Sequence, residues 1–392
     1  MREKTTTVIF VLMLALFFAL ALIIPKDERA SVMENRPLAS FPTLTAESLR
    51  SGKFQSSIET YLSDNIGLRS RFITAGTLLE RAKGLSLSSG DMPDDRVITQ
   101  PWGSQLVLSQ GRIMEVYKKM PEVTEQYISV LNSYSAEFGA EHNMYLMLAP
   151  TQLEFDLSPY RNLADSQLET INYVYSSLNG FNTVNVYDSL AEHRNEYIYF
   201  RTDHHWTQRG AYYAYCALCK AQGVTPASLD DMTVHTYSGF LGYLFNQANV
   251  KEYAQFADDI EHFDFGKNYA ITIKEKNANG KTVSYLSSMY RFPENSTANY
   301  GIFMGGDFSY IEIDTDAGNG RTALIIKDSY ANALIPLLTA NYQKLIILDP
   351  RSYWGTVGEI TAKNDIDDII FVNYALITSN ADFVGYIDKI MK

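Results

Sequence analysis

The feature that most constrains the fold of this chain is an alternation of short apolar runs with helical patterns. Four of the runs are predicted to be buried strands: Tyr145–Ala149, Thr322–Lys327, Leu345–Leu348 and Ile369–Val372. Strands that are apolar on both faces and separated by helices are typical of a parallel sheet covered by helices on each side. We therefore predict an α/β fold built on a parallel sheet.

The remaining segments after residue 120 fit the same pattern with one interruption. Apolar periodicity predicts helices at Glu122–Phe138, Leu163–Leu178, Thr207–Ala221, Tyr330–Thr339 and Asp382–Met391. Two further short strands are predicted at Val184–Tyr187 and Tyr197–Phe200. Between residues 225 and 320, short alternating segments rich in Tyr, Asn, Asp, Gly and Thr predict a β-rich insertion in the α/β domain of residues 121–392.

The N-terminus contains an unbroken apolar run from Val8 to Ile24, preceded by Arg2 and Lys4. About 17 apolar residues reach the lower limit for crossing a bilayer, and basic residues before the run place the N-terminus in the cytosol. We expect residues 1–25 to anchor the protein in the membrane. A cleaved signal peptide is the alternative, with Ala19 and Ala21 as the small residues before the cleavage site. Both interpretations place the rest of the chain outside the cytosol.

Two segments lie between this run and the α/β domain. Residues 26–44 contain Pro and Ser and are predicted to be a linker. Residues 45–120 are predicted to form a region of helices at 45–64 and 68–83 and of short strands around Trp102 and Val107.

The composition excludes several kinds of protein. The chain has 392 residues, of which 46% are hydrophobic and 20% charged, as in globular proteins. Its net charge of −12, from 33 basic and 45 acidic residues, argues against a nucleic-acid partner. The only cysteines, Cys216 and Cys219, fall inside a predicted helix, which favours two small buried side chains over a redox pair or a disulfide framework.

The segment from Thr202 to Thr207, T-D-H-H-W-T, has the highest density of groups suited to catalysis. It follows a predicted strand and begins a helix, where an α/β sheet exposes side chains. Asp203 is placed to accept a hydrogen bond from a ring nitrogen of His205, which would leave the other nitrogen free to act as a base. Helix capping by Asp203 or Thr202, with incidental histidines, is an equally good interpretation of these residues alone.

The second candidate segment is I-I-K-D-S-Y at 325–330. Ser329 follows a predicted strand and precedes a helix, so that its hydroxyl is exposed and its N–H lies at a helix N-terminus suited to an oxyanion. A serine that only caps the helix is the alternative. The two segments together supply a nucleophile, a base and an orienting acid.

Further residues are predicted near the same edge of the sheet. Arg351 and Asn373 each follow a predicted strand and are candidates for stabilising an oxyanion, with an ion pair and a turn residue as the alternatives. Trp206 and Trp354 flank the segments and suit either a sugar ring or the core. Gly305-Gly306-Asp307 is predicted to form a tight turn near the site.

A metal site at Asp203, His204 and His205 is the least favoured interpretation. Adjacent histidines are expected to point in different directions, and the chain has no H-x-x-x-H pattern and no cysteine cluster. We expect no metal and no cofactor.

The order of motifs resembles the bacterial DHHW protein family, which is similar to the SGNH-hydrolase-like domains of the alginate O-acetyltransferase group. The resemblance is based on D-H-H-W at 203–206, I-K-D-S-Y-A-N at 326–332 and D-P-R-S-Y-W at 349–354. It is supported by E-N-R at 34–36, Y-L-S-D-N-I-G-L-R at 61–69 and Y-G-I-F-M-G-G-D at 300–307. The resemblance implies an SGNH-like, flavodoxin-like fold with the Asp/His block before the serine block.

The resemblance also implies roles for individual residues. In the acetyltransferase relatives a D-x-H-W motif supplies the acid and the base and a later serine is the nucleophile, which here are Asp203, His205 and Ser329. Lys327 stands where a G-D-S block has glycine, and His204 occupies the variable position of the motif. The candidate oxyanion-stabilising or substrate-binding residues are Asn373, Arg351, His204, Tyr330, Trp206 and Trp354.

These implications predict an O-acetyltransferase outside the cytosol that acts on a cell-surface or exported polysaccharide. By the same resemblance, a membrane-bound O-acyltransferase partner would deliver the acetyl group. An O-acetyl esterase with the same triad and a non-catalytic envelope or glycan-binding protein are the alternatives.

Overall fold

A computed structural model of the chain describes residues 41–50, 53–64, 93, 95–100, 103–277, 280–291 and 299–392. The predicted membrane segment 1–25, nearly all of the predicted linker and the predicted helix at 68–83 lie outside these residues. Within the part that is described, no helix is both long and apolar enough to cross a membrane.

The chain forms two compact units. Among the described residues, one unit consists of those up to Pro93 together with Phe245–Lys251, and the other of those within Asp94–Leu244 and Glu252–Lys392. In the first unit, helices α1 (Ala46–Arg50) and α2 (Lys53–Asp64) confirm the helical pattern predicted at 45–64. The second unit contains every candidate site residue.

The strands of the second unit are listed here with their bounds: β1 Arg96–Thr99, β2 Gln105–Ser109, β3 Arg112–Glu115, β4 Asn143–Ala149, β5 Phe181–Val184, β6 Thr233–Phe240, β7 Asp258–Asp264, β8 Tyr269–Lys276, β9 Thr282–Ser287, β10 Tyr310–Thr315, β11 Thr322–Lys327, β12 Lys344–Leu348 and β13 Asp368–Tyr374. The remaining helices are α3 Pro121–Phe138, α4 Gln167–Ser177, α5 Val186–Glu192, α6 Gln208–Gln222, α7 Tyr243–Ala248, α8 Ala331–Leu338, α9 Val357–Thr361 and α10 Ala381–Lys389.

The main sheet has eight strands in the order β5-β4-β13-β11-β12-β10-β8-β9. The first five are parallel, as predicted. The last three are antiparallel, so the sheet is mixed, whereas the sequence predicted a parallel sheet with a β-rich insertion. The antiparallel strands come from the predicted β-rich insertion, in which β8 and β9 form a hairpin and β10 pairs between β8 and the β12 edge of the parallel core.

The order of the parallel strands also corrects the flavodoxin-like prediction. Numbered along the chain, the five strands lie in the order 2-1-5-3-4, whereas a flavodoxin-like sheet has the order 2-1-3-4-5. The last strand, β13, lies between the first, β4, and the third, β11. The carboxyl ends of β11 and β13 are therefore neighbours, which sets the place of the serine turn.

Helices cover both faces of the parallel strands, and alternate residues of each strand face opposite cores. In β11, Ala323 and Ile325 pack in the core that contains α6 and α8. Leu324 and Ile326 pack in the core that contains α3 and α10. Complete burial of both faces explains why β11 is apolar throughout and why the sequence identified it so well.

Two predicted strands near the D-H-H-W segment are wrong. Val184–Tyr187 contains only the end of β5, because Asn185 caps helix α5 by accepting a hydrogen bond from the Asp188 N–H. Tyr197–Phe200 forms only an isolated bridge between Tyr199 and Trp206. The segment before Asp203 is therefore irregular, and its conformation depends on contacts with distant parts of the chain.

Candidate active site

Ser329, His205 and Asp203 form one continuous chain of hydrogen bonds. His205 Nε2 lies 2.7 Å from Ser329 Oγ, and His205 Nδ1 lies 2.5 Å from Asp203 Oδ1. An ionised carboxylate can only accept, so Nδ1 carries the proton and Nε2 accepts from the serine hydroxyl. The structure thus brings together the three residues predicted as nucleophile, base and orienting acid, in an arrangement suited to removing a proton from Ser329.

The Asp203 carboxylate is surrounded by donors. Its Oδ1 also accepts from the backbone N–H of His205 at 3.0 Å, and its Oδ2 accepts from the N–H of Tyr243 at 2.7 Å. Burial raises the pKa of Asp203, but the nearby His205 and His204 imidazoles and these hydrogen bonds outweigh burial and bring the pKa below its usual range. Asp203 therefore stays ionised at neutral pH and keeps the proton of His205 on Nδ1.

Gly242 makes the contact with Asp203 possible. A Cβ atom on Gly242 would lie 2.3 Å from Asp203 Cβ and 2.8 Å from its Cα, too close for any side chain. The Gly242 N–H also donates to Thr202 Oγ1 at 3.0 Å. The turn between β6 and α7 thus packs directly against the backbone of Asp203.

A second carboxylate, Asp258 at the start of β7, fixes the backbone before Asp203. Its Oδ1 accepts from the Arg201 N–H at 2.8 Å and from the Tyr197 hydroxyl, and its Oδ2 accepts from both the N–H and the hydroxyl of Thr202 at 2.9 and 2.5 Å. Burial raises the pKa of Asp258, although these hydrogen bonds act in the opposite direction. Four donors on one buried carboxylate thus orient this irregular loop.

The imidazole of His205 is stacked on a tyrosine. The Tyr300 ring lies 3.7 Å from the His205 ring, centroid to centroid, at an interplanar angle of 5°. The Tyr300 hydroxyl donates to the Tyr330 carbonyl at 3.3 Å. A flat apolar face against the imidazole restricts its rotation and leaves only its two nitrogens for polar contacts.

Ser329 lies in the turn between β11 and α8, and the side chain of Asp328 organises this turn. Asp328 Oδ1 accepts from the Tyr330 N–H at 2.8 Å, and Oδ2 accepts from the Tyr374 N–H at 2.9 Å. Burial raises the pKa of Asp328 to about 6, with these hydrogen bonds acting against it. Among the described residues, no group accepts from the Ser329 N–H, which leaves this donor available for an oxyanion.

The structure corrects the predicted role of Asn373. The residue is at the end of β13 and fully buried, and its amide donates to Asp328 Oδ2 at 3.3 Å. Its carbonyl oxygen accepts from the Tyr127 hydroxyl at 2.9 Å. Asn373 thus supports the serine turn through Asp328 rather than offering a free donor to a substrate.

Arg351 is likewise engaged. Its guanidinium pairs with Asp307 at 2.6 Å and with Asp349 at 2.5 Å. Lys327, which is fully buried, pairs with the same two carboxylates at 2.5 and 3.5 Å. The lysine in the place of the G-D-S glycine is therefore the partner of Asp307, the last residue of the predicted G-G-D turn.

The aromatic candidates separate into buried and exposed ones. Trp206 has no exposed surface and its Nε1 donates to the Tyr330 carbonyl at 2.8 Å, so it packs in the core rather than against a sugar. Tyr330 is also fully buried, and its hydroxyl donates to the His204 carbonyl. Trp354 is 36% exposed and lies under the Lys276 ammonium. None of these contacts places Trp354 at Ser329.

The expectation that the two histidines diverge is wrong. Their rings lie 3.9 Å apart, and His204 Nδ1 lies 3.8 Å from Asp203 Oδ1. One ligand atom from each of Asp203, His204 and His205 lies within 4.8 Å of the others, a spacing that one transition-metal ion can bridge. Both ring nitrogens of His205 are already engaged, by Asp203 and by Ser329, which fits an acid–base triad better than a metal centre.

Sequence reasoning missed the residues that orient the triad. Asp258, Gly242 and Tyr300 are distant from the D-H-H-W segment along the chain, and none belongs to a periodic pattern. Tyr300 and Asp328 stand in the motifs Y-G-I-F-M-G-G-D and I-K-D-S-Y-A-N, but neither motif indicated their roles. The position of Asp328 two residues before Tyr330 is a signal for a side-chain-to-backbone turn that could have identified it.

A family model described as DHHW protein matches residues 95–348 of the chain. Among solved structures, a DHHW family protein from Eubacterium siraeum DSM 15702 is similar at a TM-score of 0.66 and 27% identity, over 75% of this chain and 98% of that one. PatB1 from Bacillus cereus, solved with a sulfonyl adduct, is similar at a TM-score of 0.61 and 20% identity, over 76% of this chain and 100% of that one.

The O-acetyltransferase domain of Pseudomonas putida AlgJ is a more distant match, with a TM-score of 0.37 and 11% identity over 76% of this chain and 99% of that one. No curated protein matches the chain. The family model extends from before β1 to the end of β12, over more than half of the chain, and includes both the D-H-H-W and the D-S-Y segments. The chain therefore belongs to the DHHW protein family.

Proposed function

We propose that this protein is an O-acetyltransferase that acts outside the cytosol on a cell-surface or exported polysaccharide. The observation that carries the proposal is the hydrogen-bonded series of Ser329, His205 and Asp203, with its 2.7 Å contact between nucleophile and base. Similarity in fold to PatB1, a protein that has been solved with a sulfonyl adduct, is consistent with an electrophile-accepting site.

In the first half of the reaction, Ser329 Oγ attacks the carbonyl carbon of an acetyl ester while its proton moves to His205 Nε2. The negative charge that develops on the carbonyl oxygen is stabilised by the Ser329 N–H. His205 then gives its proton to the leaving alcohol as the C–O bond of the donor breaks. The product is an acetyl ester on Ser329, with Asp203 ionised throughout.

In the second half, a sugar hydroxyl attacks this ester and its proton moves to His205 Nε2. Ser329 Oγ leaves and recovers the proton from His205, which releases the acetylated sugar. If water enters instead of a sugar, the same steps make the protein an O-acetyl esterase. The identity of the acceptor is all that separates the two activities.

The place of the reaction and the source of the acetyl group are also part of this proposal. The apolar run Val8–Ile24 with Arg2 and Lys4 before it supports a membrane-anchored protein whose folded part is outside the cytosol. From the resemblance to the alginate O-acetyltransferase group, we also propose a membrane-bound O-acyltransferase partner that passes the acetyl group across the bilayer.

Acetylation of Ser329 is the direct test. The purified full-length protein is incubated with 4-nitrophenyl acetate, and intact-mass spectrometry measures the added acetyl group in wild type, in Ser329→Ala and in the exposed-serine control Ser133→Ala. We expect an adduct and 4-nitrophenolate release in wild type and the control, and neither in Ser329→Ala. A sulfonyl fluoride should modify the same residue, with loss of fluoride.

Addition of an oligosaccharide then separates the two enzymatic outcomes. Transfer of the acetyl group to the sugar supports a transferase, and release of acetate alone supports an esterase. A folded protein that neither forms the adduct nor reacts with the sulfonyl fluoride would overturn the proposal and favour a glycan-binding role.

A further inference from the structure

Arg201 is an exposed arginine two residues before Asp203. Its backbone N–H donates to the buried carboxylate of Asp258 at 2.8 Å, and its carbonyl accepts from the Ile113 N–H at 2.7 Å. Its guanidinium carbon lies 5.2 Å from the centroid of the Tyr197 ring. A guanidinium on an aromatic face is held in place while its N–H groups stay available to a ligand. The side chain of Arg201 is therefore positioned next to the D-H-H-W segment by a ring and not by a carboxylate.

Arg112, the first residue of β3, is a second exposed arginine at the same place. Because the Ile113 N–H donates to the Arg201 carbonyl, the Cα atoms of the two arginines are no more than about 8 Å apart. A Cβ on Gly111 would lie 2.8 Å from Phe256 Cδ1, so the β2–β3 turn beside Arg112 packs closely on that ring. The backbone of Arg112 is thus fixed as well. We refer to Arg112 and Arg201 as the arginine pair.

The arginine pair has no carboxylate partner among the described residues, and no hydrogen bond there engages either guanidinium. Asp258 is fully buried and already accepts four hydrogen bonds, and the exposed Asp259 that follows it forms no ion pair with Arg201 in the described part of the chain. Most other arginines of this unit pair with a carboxylate: Arg96, Arg161, Arg209, Arg321 and Arg351. Two neighbouring positive charges repel each other, and an anion bound between them would replace this repulsion by attraction.

The arginine pair lies close to the triad. Two residues of chain span at most about 7 Å, so the Arg201 Cα is within that distance of the Asp203 Cα. The Phe200 N–H, directly before Arg201, donates to the His205 carbonyl at 3.3 Å. His205 Nε2 in turn lies 2.7 Å from Ser329 Oγ. A polymer that is bound through an acidic group at the pair therefore has neighbouring sugars within reach of Ser329.

We infer that the arginine pair binds the acidic group, a carboxylate or a phosphate, of the polysaccharide that receives the acetyl group. This inference rests on the function proposed above and names the class of its acceptor. The planar fork of a guanidinium matches two oxygens of either group, and such contacts are stronger than hydrogen bonds between neutral groups. A neutral polysaccharide gains nothing from them, so the pair selects acidic acceptors.

Direct binding tests the inference without requiring catalysis. Full-length Ser329→Ala protein is titrated with tetragalacturonate and with its fully methyl-esterified form, at equal ionic strength, and calorimetry measures the Kd values. The two ligands share one sugar backbone and differ in the charge of their carboxyl groups. We expect the acid to bind at least about 10-fold more tightly, since hydrogen bonds to charged groups are strong enough to supply this factor. A parallel titration compares glucose 6-phosphate with glucose.

Variants of the pair assign the preference to the two arginines. Arg112→Gln and Arg201→Gln should each reduce the preference for the charged ligand to about 3-fold or less, and the double variant should abolish it. Arg194→Gln, which removes the same charge from an exposed arginine outside the pair, should leave the preference unchanged. Circular dichroism confirms that each variant is folded.

The outcomes separate the inference from the proposed function. A preference for a charged ligand that is lost only in the pair variants supports the inference, and the ligand that shows it identifies a carboxylate or a phosphate as the bound group. No preference for either charged ligand, or equal effects of the pair variants and Arg194→Gln, would overturn the inference even if Ser329 is acetylated in wild type. An arginine-dependent preference in a protein whose Ser329 is never acetylated would leave the pair as an anion site and overturn the acetyltransferase.

Discussion

The two segments that meet at the site are built in different ways. The serine turn at 327–330 connects a fully buried strand to a helix, and its conformation is fixed largely by its own Asp328. The D-H-H-W segment at 203–206 follows an irregular stretch and is fixed by Asp258, Gly242 and Tyr243, which lie about 40 to 55 residues away. Asp328 also accepts hydrogen bonds from Tyr374 and Asn373, so the serine turn combines a local contact with long-range ones, whereas the D-H-H-W segment depends mainly on long-range contacts.

The β-rich insertion between residues 225 and 320 therefore has two structural roles. Its strands β8 to β10 widen the sheet, while its β6–α7 turn and the start of β7 orient Asp203. The section is therefore part of the site, and damage to it should reduce activity even when Ser329 and His205 are unchanged. Substitutions around the D-H-H-W segment should therefore reduce activity more than substitutions around the serine turn.

The largest effect is expected for Gly242→Ala. The new Cβ would come within 2.3 Å of Asp203 Cβ and 2.8 Å of its Cα, so rotation of the Asp203 side chain cannot relieve the contact and the backbone of Asp203 or of the turn must move. A displacement near 1 Å lowers turnover by about 100-fold in well-oriented sites. The rate of Ser329 acetylation by 4-nitrophenyl acetate measures the loss.

Gly385→Ala is the matched control for this change, since a Cβ at Gly385 meets no atom within 4 Å. It should retain the wild-type rate. A Gly242→Ala protein that is folded by circular dichroism and acetylated as fast as wild type would show that the turn does not constrain Asp203.

A smaller effect is expected for Asp258→Asn. An amide has one acceptor oxygen, so its NH2 group must face a donor, either Arg201 N–H or Thr202 N–H. One unpaired buried donor costs about 1–3 kcal/mol of folding stability. We also expect about 10-fold slower acetylation because the backbone before Asp203 is no longer fixed.

Asp259→Asn provides the comparison, because it makes the same charge change one residue along β7 on an exposed side chain. Its unfolding midpoint in urea and its acetylation rate should match those of wild type. Loss of stability without loss of rate in Asp258→Asn would mean that Asp258 supports the fold but does not orient the triad.

The sequence predicted both the position and the residues of the serine turn. For the D-H-H-W segment it predicted the functional side chains but not the backbone conformation before them. Strand β11 was predicted with its correct ends, because residues buried on both faces leave a continuous apolar run. Asp203 and His205 were identified as a pair by their spacing, yet the strand predicted before them is absent. A hydrogen bond from Thr202 to Asp258 leaves no periodic signal, and neither does the close approach of Gly242.

The mixed sheet was missed for a related reason. Short alternating segments between 225 and 320 indicate strands, but the identity of the partner of β10 depends on packing at the β12 edge. The role of Asn373 was also mispredicted, because its hydrogen-bond partners are set by packing between distant segments. Its position at a strand end predicted a free amide, whereas Tyr127 and Asp328 use both of its polar atoms.

The stability of the protein should depend on pH through Asp328 in the serine turn. Burial raises the pKa of this carboxyl to about 6, so the folded state binds the proton more tightly than the unfolded state. This contribution to stability is present at low pH and is lost as the pH rises through about 6. Because the pKa of Asp328 is about 2 above its usual value, this contribution to the free energy of unfolding is about 3 kcal/mol. Urea unfolding of wild type and Asp328→Asn between pH 4 and 8 measures it.

The difference in unfolding free energy between the two proteins should change along this pH range, with wild type losing stability relative to the variant as the pH increases. A difference that stays constant from pH 4 to 8 would contradict a raised pKa at Asp328. Because Asp328 orients the turn rather than the base, we expect acetylation in Asp328→Asn to slow only a few-fold at neutral pH.

The smallest effects are expected at Tyr300, which contacts the imidazole through its ring alone. Tyr300→Phe keeps the stacked face on His205 and loses only the 3.3 Å hydrogen bond to the Tyr330 carbonyl, so the acetylation rate should stay within about 2-fold of wild type. Tyr300→Leu removes the flat face and should slow acetylation by about 5-fold, because the imidazole gains freedom to rotate away from Ser329. Equal rates in the two variants would show that Asp203 alone orients His205, and that the long-range half of the triad depends on hydrogen bonds without help from the aromatic ring.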